Sequence, residues 1–255
     1  MNLSSPPAPL AVIDGQSVNL RSLFEAVARP LARLERGEGF TLFTLNLDHL
    51  VKRRQSAAFR EAYARADFVT ADGAPVAVLA RRQGARLERA TGADLVAPMC
   101  AAAAARKIPV YLFGTSDATL KAAAARLAAR HPGFIIAGAH APPQGFDPGS
   151  DAAARAGEDI SASGARLVFL ALGAPKQELF AARLAALHPC IGFVCIGASL
   201  DFISGKQTRA PLFFQRHGLE WLWRLGSDPR RLAGRYLQCA ALLARLALTP
   251  RRAAP

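Results

Sequence analysis

Short apolar runs that stop at glycine recur along this chain, each followed by a longer stretch of helical character. Residues 108–113 (IPVYLF) stop at Gly114, residues 166–172 (RLVFLAL) at Gly173, and residues 191–196 at Gly197. Runs apolar at nearly every position suit strands buried on both faces, and strands that alternate with helices pack as a parallel sheet. Residues 40–47 (FTLFTLNL), 66–70 and 134–137 extend the set of strands. The expected fold class is α/β: a Rossmann-like, mostly parallel sheet with helices on both faces. Helices are expected over residues 19–36, kinked or broken at Pro30 and closed by Gly37, and over 93–107. Others are expected from a cap at Asp117 to about His131, over 151–163, and after Pro175.

The character of the chain changes near Gly205. Residues 1–205 are expected to form the α/β core, and 206–255 a basic, aromatic, helical appendage. That appendage carries ten basic and two acidic side chains, so it holds +8 of the formal net charge of +13. It also carries Trp221, Trp223, Tyr236 and a run of leucines. Charge and apolar surface together suit a membrane face or a lipid phosphate better than a nucleic acid. Arg231, Arg235, Gln238 and Arg245 share one helical face, from which arginines could snorkel to lipid phosphates. The alternative is a helix docked on its own domain.

Residues 1–15 have neither a basic n-region nor an apolar h-region and read as a short disordered leader. No apolar run reaches the roughly 18 to 20 residues that a membrane span requires. Cys100, Cys190, Cys195 and Cys239 share no CxxC spacing and read as buried free thiols. A cytoplasmic location is expected, with peripheral contact at the inner face of the cell membrane.

In open α/β sheets a ligand sits beyond the carboxyl ends of the strands. The turns at Gly114, Gly173 and Gly197 are therefore candidate phosphate sites, where backbone amides can approach an anion; for any one of them the alternative is that glycine only turns the chain, and the three together favour a nucleotide. Neither GxGxxG nor GxxxxGK[ST] occurs. Asp72, after the strand at 66–70, is either a general base facing the cleft or a turn former in Asp72-Gly73. Alternation puts Thr44 and Asn46 on one face, where a hydroxyl and an amide could line a pocket. His49 follows closely and is either structural or a direct contact. Arg89, in a polar link before a helix, could pair with a diphosphate. Lys176 and Gln177 would project at the top of the sheet toward a sugar hydroxyl or phosphate.

Six stretches taken in order resemble the WecG/TagA/CpsF family of bacterial glycosyltransferases: TLNLDHLV from Thr44, ADGAP from Ala71, ERATGADL from Glu88, LGAPKQE from Leu172, IGASLDFISGKQTRAP from Ile196, and GLEWLWRLGSDPRRLAGRY from Gly218. Three positions depart from the pattern: Phe180 and Phe213 or Phe214 stand where tryptophan is usual, and Gly234 where a basic residue is common. The resemblance implies an inverting transferase that moves a sugar from a UDP-sugar donor to a polyprenyl-diphosphate-linked sugar acceptor. It would do so at the cytoplasmic membrane surface, in the synthesis of surface or secreted polysaccharide. The family's base maps to Asp72, and its accompanying site residues to Thr44, Arg89 and Gln177. Asp201 falls in a matching stretch and is a further candidate for substrate binding. The lipid diphosphate and membrane would meet Arg209, Arg224, Arg231 and Arg235. No DxD-like carboxylate pair lies in the matching segments, so no obligatory metal and no cofactor are expected. A homo-oligomer is an open expectation. The rival readings are a nucleotide-dependent oxidoreductase on a similar sheet and a basic nucleic-acid-binding protein. The absent GxGxxG weighs against the first and the absence of a nucleic-acid module against the second.

Overall fold

The computed structural model describes residues 7–248, apart from the side chain of Arg231. Strands β1 (Ala11–Ile13) and β2 (Gln16–Val18) form an antiparallel hairpin, which corrects the expectation of a disordered leader. Its turn is Asp14-Gly15, both residues at positive φ, the turn chemistry that a two-residue hairpin selects. The rest of the leader, residues 1–6, lies outside the described residues.

The main sheet comprises β3 (Phe40–Leu45), β4 (Phe68–Ala71), β5 (Val110–Gly114), β6 (Ile136–His140), β7 (Leu167–Ala171) and β8 (Gly192–Cys195). Its order is β4-β3-β8-β7-β5-β6, and every pairing is parallel. Helices α1 (Leu23–Glu35), α2 (Leu47–Gln55), α3 (Ala57–Ala64), α4 (Ala74–Arg82), α5 (Gly92–Ala105) and α6 (Asp117–Arg130) connect and cover the first strands. They are followed by α7 (Asp151–Ala162), α8 (Lys176–Leu187) and α9 (Ser199–Ser204). The appendage holds α10 (Leu212–Arg216), α11 (Glu220–Ser227) and α12 (Pro229–Leu248).

Alternation along each strand divides the core in two. Phe43, Leu45, Val168, Leu170 and Phe193 face one apolar layer, and Leu42, Leu112, Phe169 and Val194 face the other. All six residues of β3 and all five of β7 are buried, as a sheet covered on both faces requires. The α/β expectation therefore holds.

Several boundaries differ. The first helix begins at Leu23, because Ser22 caps it by accepting from the Glu25 amide; Asn19 instead hydrogen-bonds the edge of β4 through Asp67 and Val69. Pro30 is buried inside α1 without ending it. Ser116, not Asp117, caps α6, and the strand expected at 134–137 is shifted to β6. Cys190 is exposed, whereas the other three thiols are buried.

The last helix packs on the core. Leu232, Cys239 and Leu242 are buried, Leu243 and Leu246 lie against the core layer, and α12 contacts α2 and α4. Leu237 lies on the outer face of α12, 73% exposed. The stripe expected to face lipid is therefore partly turned inward: Arg235 Nε lies 3.0 Å from Asp48 Oδ1 on α2. Among the described residues no helix is long and apolar enough to cross a membrane.

Candidate active site at the carboxyl ends of the strands

The end of β3 builds the first part of the site. Asn46 caps α2: its Oδ1 accepts from the His49 amide at 3.1 Å. That leaves Nδ2 to donate to Asp72 Oδ2 at 3.0 Å. Thr44 Oγ1 approaches the same oxygen at 3.5 Å. The structure thus brings Thr44, Asn46 and Asp72 together, as alternation along the strand requires. Asp72 itself follows β4, and its amide donates to the Leu45 carbonyl at 2.8 Å. Gly73, at φ 98°, turns the chain into α4. Both donors converge on Oδ2, and among the described residues no protein donor reaches Oδ1. Burial raises the Asp72 pKa above the usual carboxylate value, and nearby Glu220 and Asp94 push the same way; the Asn46 hydrogen bond and the Arg224 charge oppose them.

Arg89 is held at the end of β4, where its backbone bridges Ala71 in parallel. Its Nη1 is 3.7 Å from Glu220 Oε2 on α11. The other oxygen of Glu220 takes Arg209 Nε at 3.1 Å, and Arg209 Nη2 reaches Asp94 Oδ1 at 2.7 Å. Asp94 is itself fixed in a reciprocal cap with Thr91 at the start of α5. Burial works against the Asp94 charge, but Arg209 outweighs it and holds the pKa below the usual value. Gly218 meets Ala74 so closely that an added Cβ would lie 2.5 Å from the alanine Cβ. The appendage therefore sits over Asp72, tied by charge and by close packing.

The glycine turns do not behave alike. The Gly197 amide donates to Gln177 Oε1 at 3.0 Å, so it is not a free phosphate donor as the turn motif led one to expect. Gly114, at φ 121°, answers a close approach to β7: an added Cβ would lie 2.4 Å from the Ala171 carbonyl oxygen. Gly173, at φ 74°, and Gly197, at φ 57°, both leave open space where a Cβ would stand, and of these two turns it is the Gly197 amide that is taken. Asp201 Oδ1 accepts from Thr115 Oγ1 at 2.8 Å and lies 3.5 Å from Lys206 Nζ, so it ties the turn after β5 to α9.

Gln177 does not project from the sheet top but is buried, and its two ends are both used. Its Nε2 donates to Glu178 Oε1 at 2.8 Å while its Oε1 holds the Gly197 turn. Glu178 is fully buried, and its Oε2 has no hydrogen-bond partner. Burial pushes its pKa up to about 7. Lys176 is only half-buried. His49 belongs to the interior. Its Nδ1 lies 2.5 Å from the Thr44 carbonyl, which can only accept, so Nδ1 carries the proton. Tyr63 Oη donates to the same carbonyl at 2.8 Å. Burial lowers the His49 pKa to about 4, so the ring is neutral.

Two of the four arginines assigned to a lipid diphosphate, Arg209 and Arg235, are paired with core carboxylates. Arg224 is exposed, with its guanidinium 5.6 Å from the Phe202 ring centroid. The Arg231 side chain lies outside the described residues. Sequence reasoning missed Asp94, Glu220 and Glu178 as site neighbours. Thr91-x-x-Asp94 is a legible capping pattern, but the pairing of Asp94 with Arg209 spans 115 residues and has no local signature. Wider surface clefts of about 390 and 650 Å³ adjoin Arg21, Arg86 and Leu87. No buried polar side chain lines those clefts, whereas the strand ends gather several.

An all-parallel sheet with an acid, amides and guanidinia gathered beyond β3, β4, β7 and β8 defines an α/β enzyme with its ligand at the sheet top. A family model for the glycosyl transferase WecG/TagA/CpsF family matches residues 12–254. The chain belongs to that family and is a glycosyltransferase, which supports a role in cell-surface polysaccharide synthesis.

Proposed function

We propose that this enzyme transfers a sugar, with inversion, from a UDP-sugar to a polyprenyl-diphosphate-linked sugar. The observation that carries the reading is Asp72. Its carboxylate is held on one oxygen by Asn46 and Thr44, and among the described residues the other oxygen has no protein donor. A raised pKa makes it a stronger base, which suits removal of a proton from an acceptor hydroxyl. That hydroxyl attacks the anomeric carbon of the donor, the bond to the UDP oxygen breaks, and one displacement inverts the centre. Gly173 supplies the open turn for the donor diphosphate, and Arg89 stabilises the charge that develops as it leaves. Gln177 shapes the same end of the site by holding the β7 and β8 turns together. Arginine charge stands where another enzyme would use a metal.

Sugar transfer from a panel of UDP-sugars to a synthetic polyprenyl-diphosphate-sugar tests this. Transfer from one donor, with inverted product and no loss in EDTA, is the expected result. Loss with EDTA overturns the metal-free mechanism, and a retained anomeric centre overturns the single displacement.

The exposed apolar side chains of the appendage support contact with the cytoplasmic face of a membrane. Leu212, Phe213, Trp221, Leu222 and Trp223 are exposed on α10 and α11, beside Arg216 and Arg224. Tryptophan and arginine together suit the headgroup layer. The full-length protein is expected to float with anionic liposomes, and Trp221→Ala/Trp223→Ala to stay at the bottom of the gradient. Equal flotation of the two proteins removes this surface from the membrane reading.

A further inference from the structure

The charges around Asp72 balance without any ligand. Three carboxylates (Asp72, Asp94 and Glu220) stand with three guanidinia (Arg89, Arg209 and Arg224). A nucleotide diphosphate brings about two further negative charges into this neutral set. It gains net attraction only where an acid gives way, because like charges in a partly dry site repel strongly.

The three acids differ in how they are held. Asp72 is fixed by Asn46 and by its own backbone bond to Leu45. Asp94 is fixed in the capping box of α5. Glu220 is the first residue of α11, whose N-cap, Leu219, offers no side-chain hydrogen bond. Among the described residues, only two guanidinia hold its carboxylate, at 3.1 Å and 3.7 Å. It is also the one acid of the three carried by the appendage, and its two oxygens occupy two arginines as two phosphate oxygens would.

We infer that Glu220 is a built-in counter-anion that the donor diphosphate displaces from Arg89 and Arg209, so that donor entry releases α11 from its resting contact. The inference rests on the reading of this site as a UDP-sugar site and adds to it a means of coupling donor binding to the position of α11. Displacement is reciprocal: what loosens Glu220 favours the diphosphate, and the diphosphate loosens Glu220 to the same degree. Arg209 keeps its Asp94 partner throughout and stays in place to receive the incoming phosphate.

The test has two arms, both on the full chain. In the first, UDP affinity is measured by calorimetry for wild type and Glu220→Gln, which keeps the shape of the side chain and removes its charge. The variant is expected to bind UDP about tenfold more tightly, the effect of one screened unit charge removed at this range. Equal or weaker binding by folded variant overturns the inference. In the second, wild-type protein is cut with trypsin, with and without UDP, and cleavage after exposed Arg216 is followed. UDP is expected to accelerate that cut. Tighter binding by the variant together with an unchanged or slower wild-type cut would mean that Glu220 merely repels the ligand and is not displaced, which overturns the inference too. If Glu220→Gln fails to fold, the second arm decides alone. Wild type that binds neither UDP nor inorganic pyrophosphate sinks the donor reading, and this inference with it. Wild type that binds UDP but fails both arms sinks only the inference.

Discussion

Asp72→Asn is expected to lower sugar transfer about a thousandfold while leaving UDP binding intact or stronger. The amide can keep the hydrogen bond with Asn46 by presenting its oxygen where Oδ2 stood. The site geometry should therefore survive, and what disappears is the capacity to take a proton. Positioned general bases contribute roughly 10²- to 10⁴-fold, which sets the size of the loss. The substitution also removes one negative charge from a cluster that must admit a diphosphate, so affinity should not fall. Single-turnover transfer and UDP calorimetry on the same preparation separate the two effects. A variant that turns over within a few-fold of wild type removes Asp72 as the base. One that loses UDP binding shows instead that Asp72 organises the donor site.

The second large effect concerns stability against pH and sets two buried groups against each other. Glu178 has a folded pKa near 7 against an ordinary value of 4.5. The folded state keeps a proton that the unfolded chain has released, so its contribution is fully present below about pH 4.5 and is lost as pH rises to 7. His49 has a folded pKa near 4 against 6.5. Its contribution is present above about pH 6.5 and is lost as pH falls to 4. Each shift corresponds to about 3 kcal/mol, with opposite slope. The two offset one another between about pH 4.5 and 6.5. Glu178→Gln removes one side of the balance. Relative to wild type, the variant should gain about 3 kcal/mol on going from pH 4.5 to 7.5. His49→Asn, whose amide can still donate to the Thr44 carbonyl, should shift in the opposite sense over pH 4 to 6.5. Urea unfolding at a series of pH values checks both, and parallel curves for Glu178→Gln and wild type would falsify a Glu178 that is buried and protonated.

Glu178 is not a residue that pattern reading selects. It looks like one of several acids in the first turn of a helix, where acids are common. Its burial follows from α8 packing across the sheet, and its partnership with Gln177 follows from that. His49 shows the same limit from the other side. Read along the chain it stands among polar residues near a strand end, and both a structural and a direct role were open. The packing of Tyr63 and the Thr44 carbonyl against Nδ1 makes the ring part of the interior. Spacing places Arg231 and Arg235 on one helical face suited to a membrane, and the resemblance adds Arg209 to the lipid contacts. Periodicity reports which residues share a face, but it does not report what that face meets. Asp48 on α2 and Asp94 on α5, far away in sequence, decided that for Arg235 and Arg209.

What the sequence by itself determined is what short-range physics controls. Apolar strands ending in glycine specify a buried parallel sheet, and alternation puts Thr44 and Asn46 on one side. Six motifs in order carry the family. Only the tertiary structure decided which groups meet: that Gln177 joins two turns, that the Gly197 amide is already taken, that the leader forms a hairpin, and that Glu220 closes an ion cluster over Asp72. Strand and helix patterns arise from neighbours a few residues apart, where spacing along the chain equals spacing in the fold. The ion pairs and buried acids join residues up to 187 positions apart, and their energies depend on distance and burial that exist only once the chain is packed.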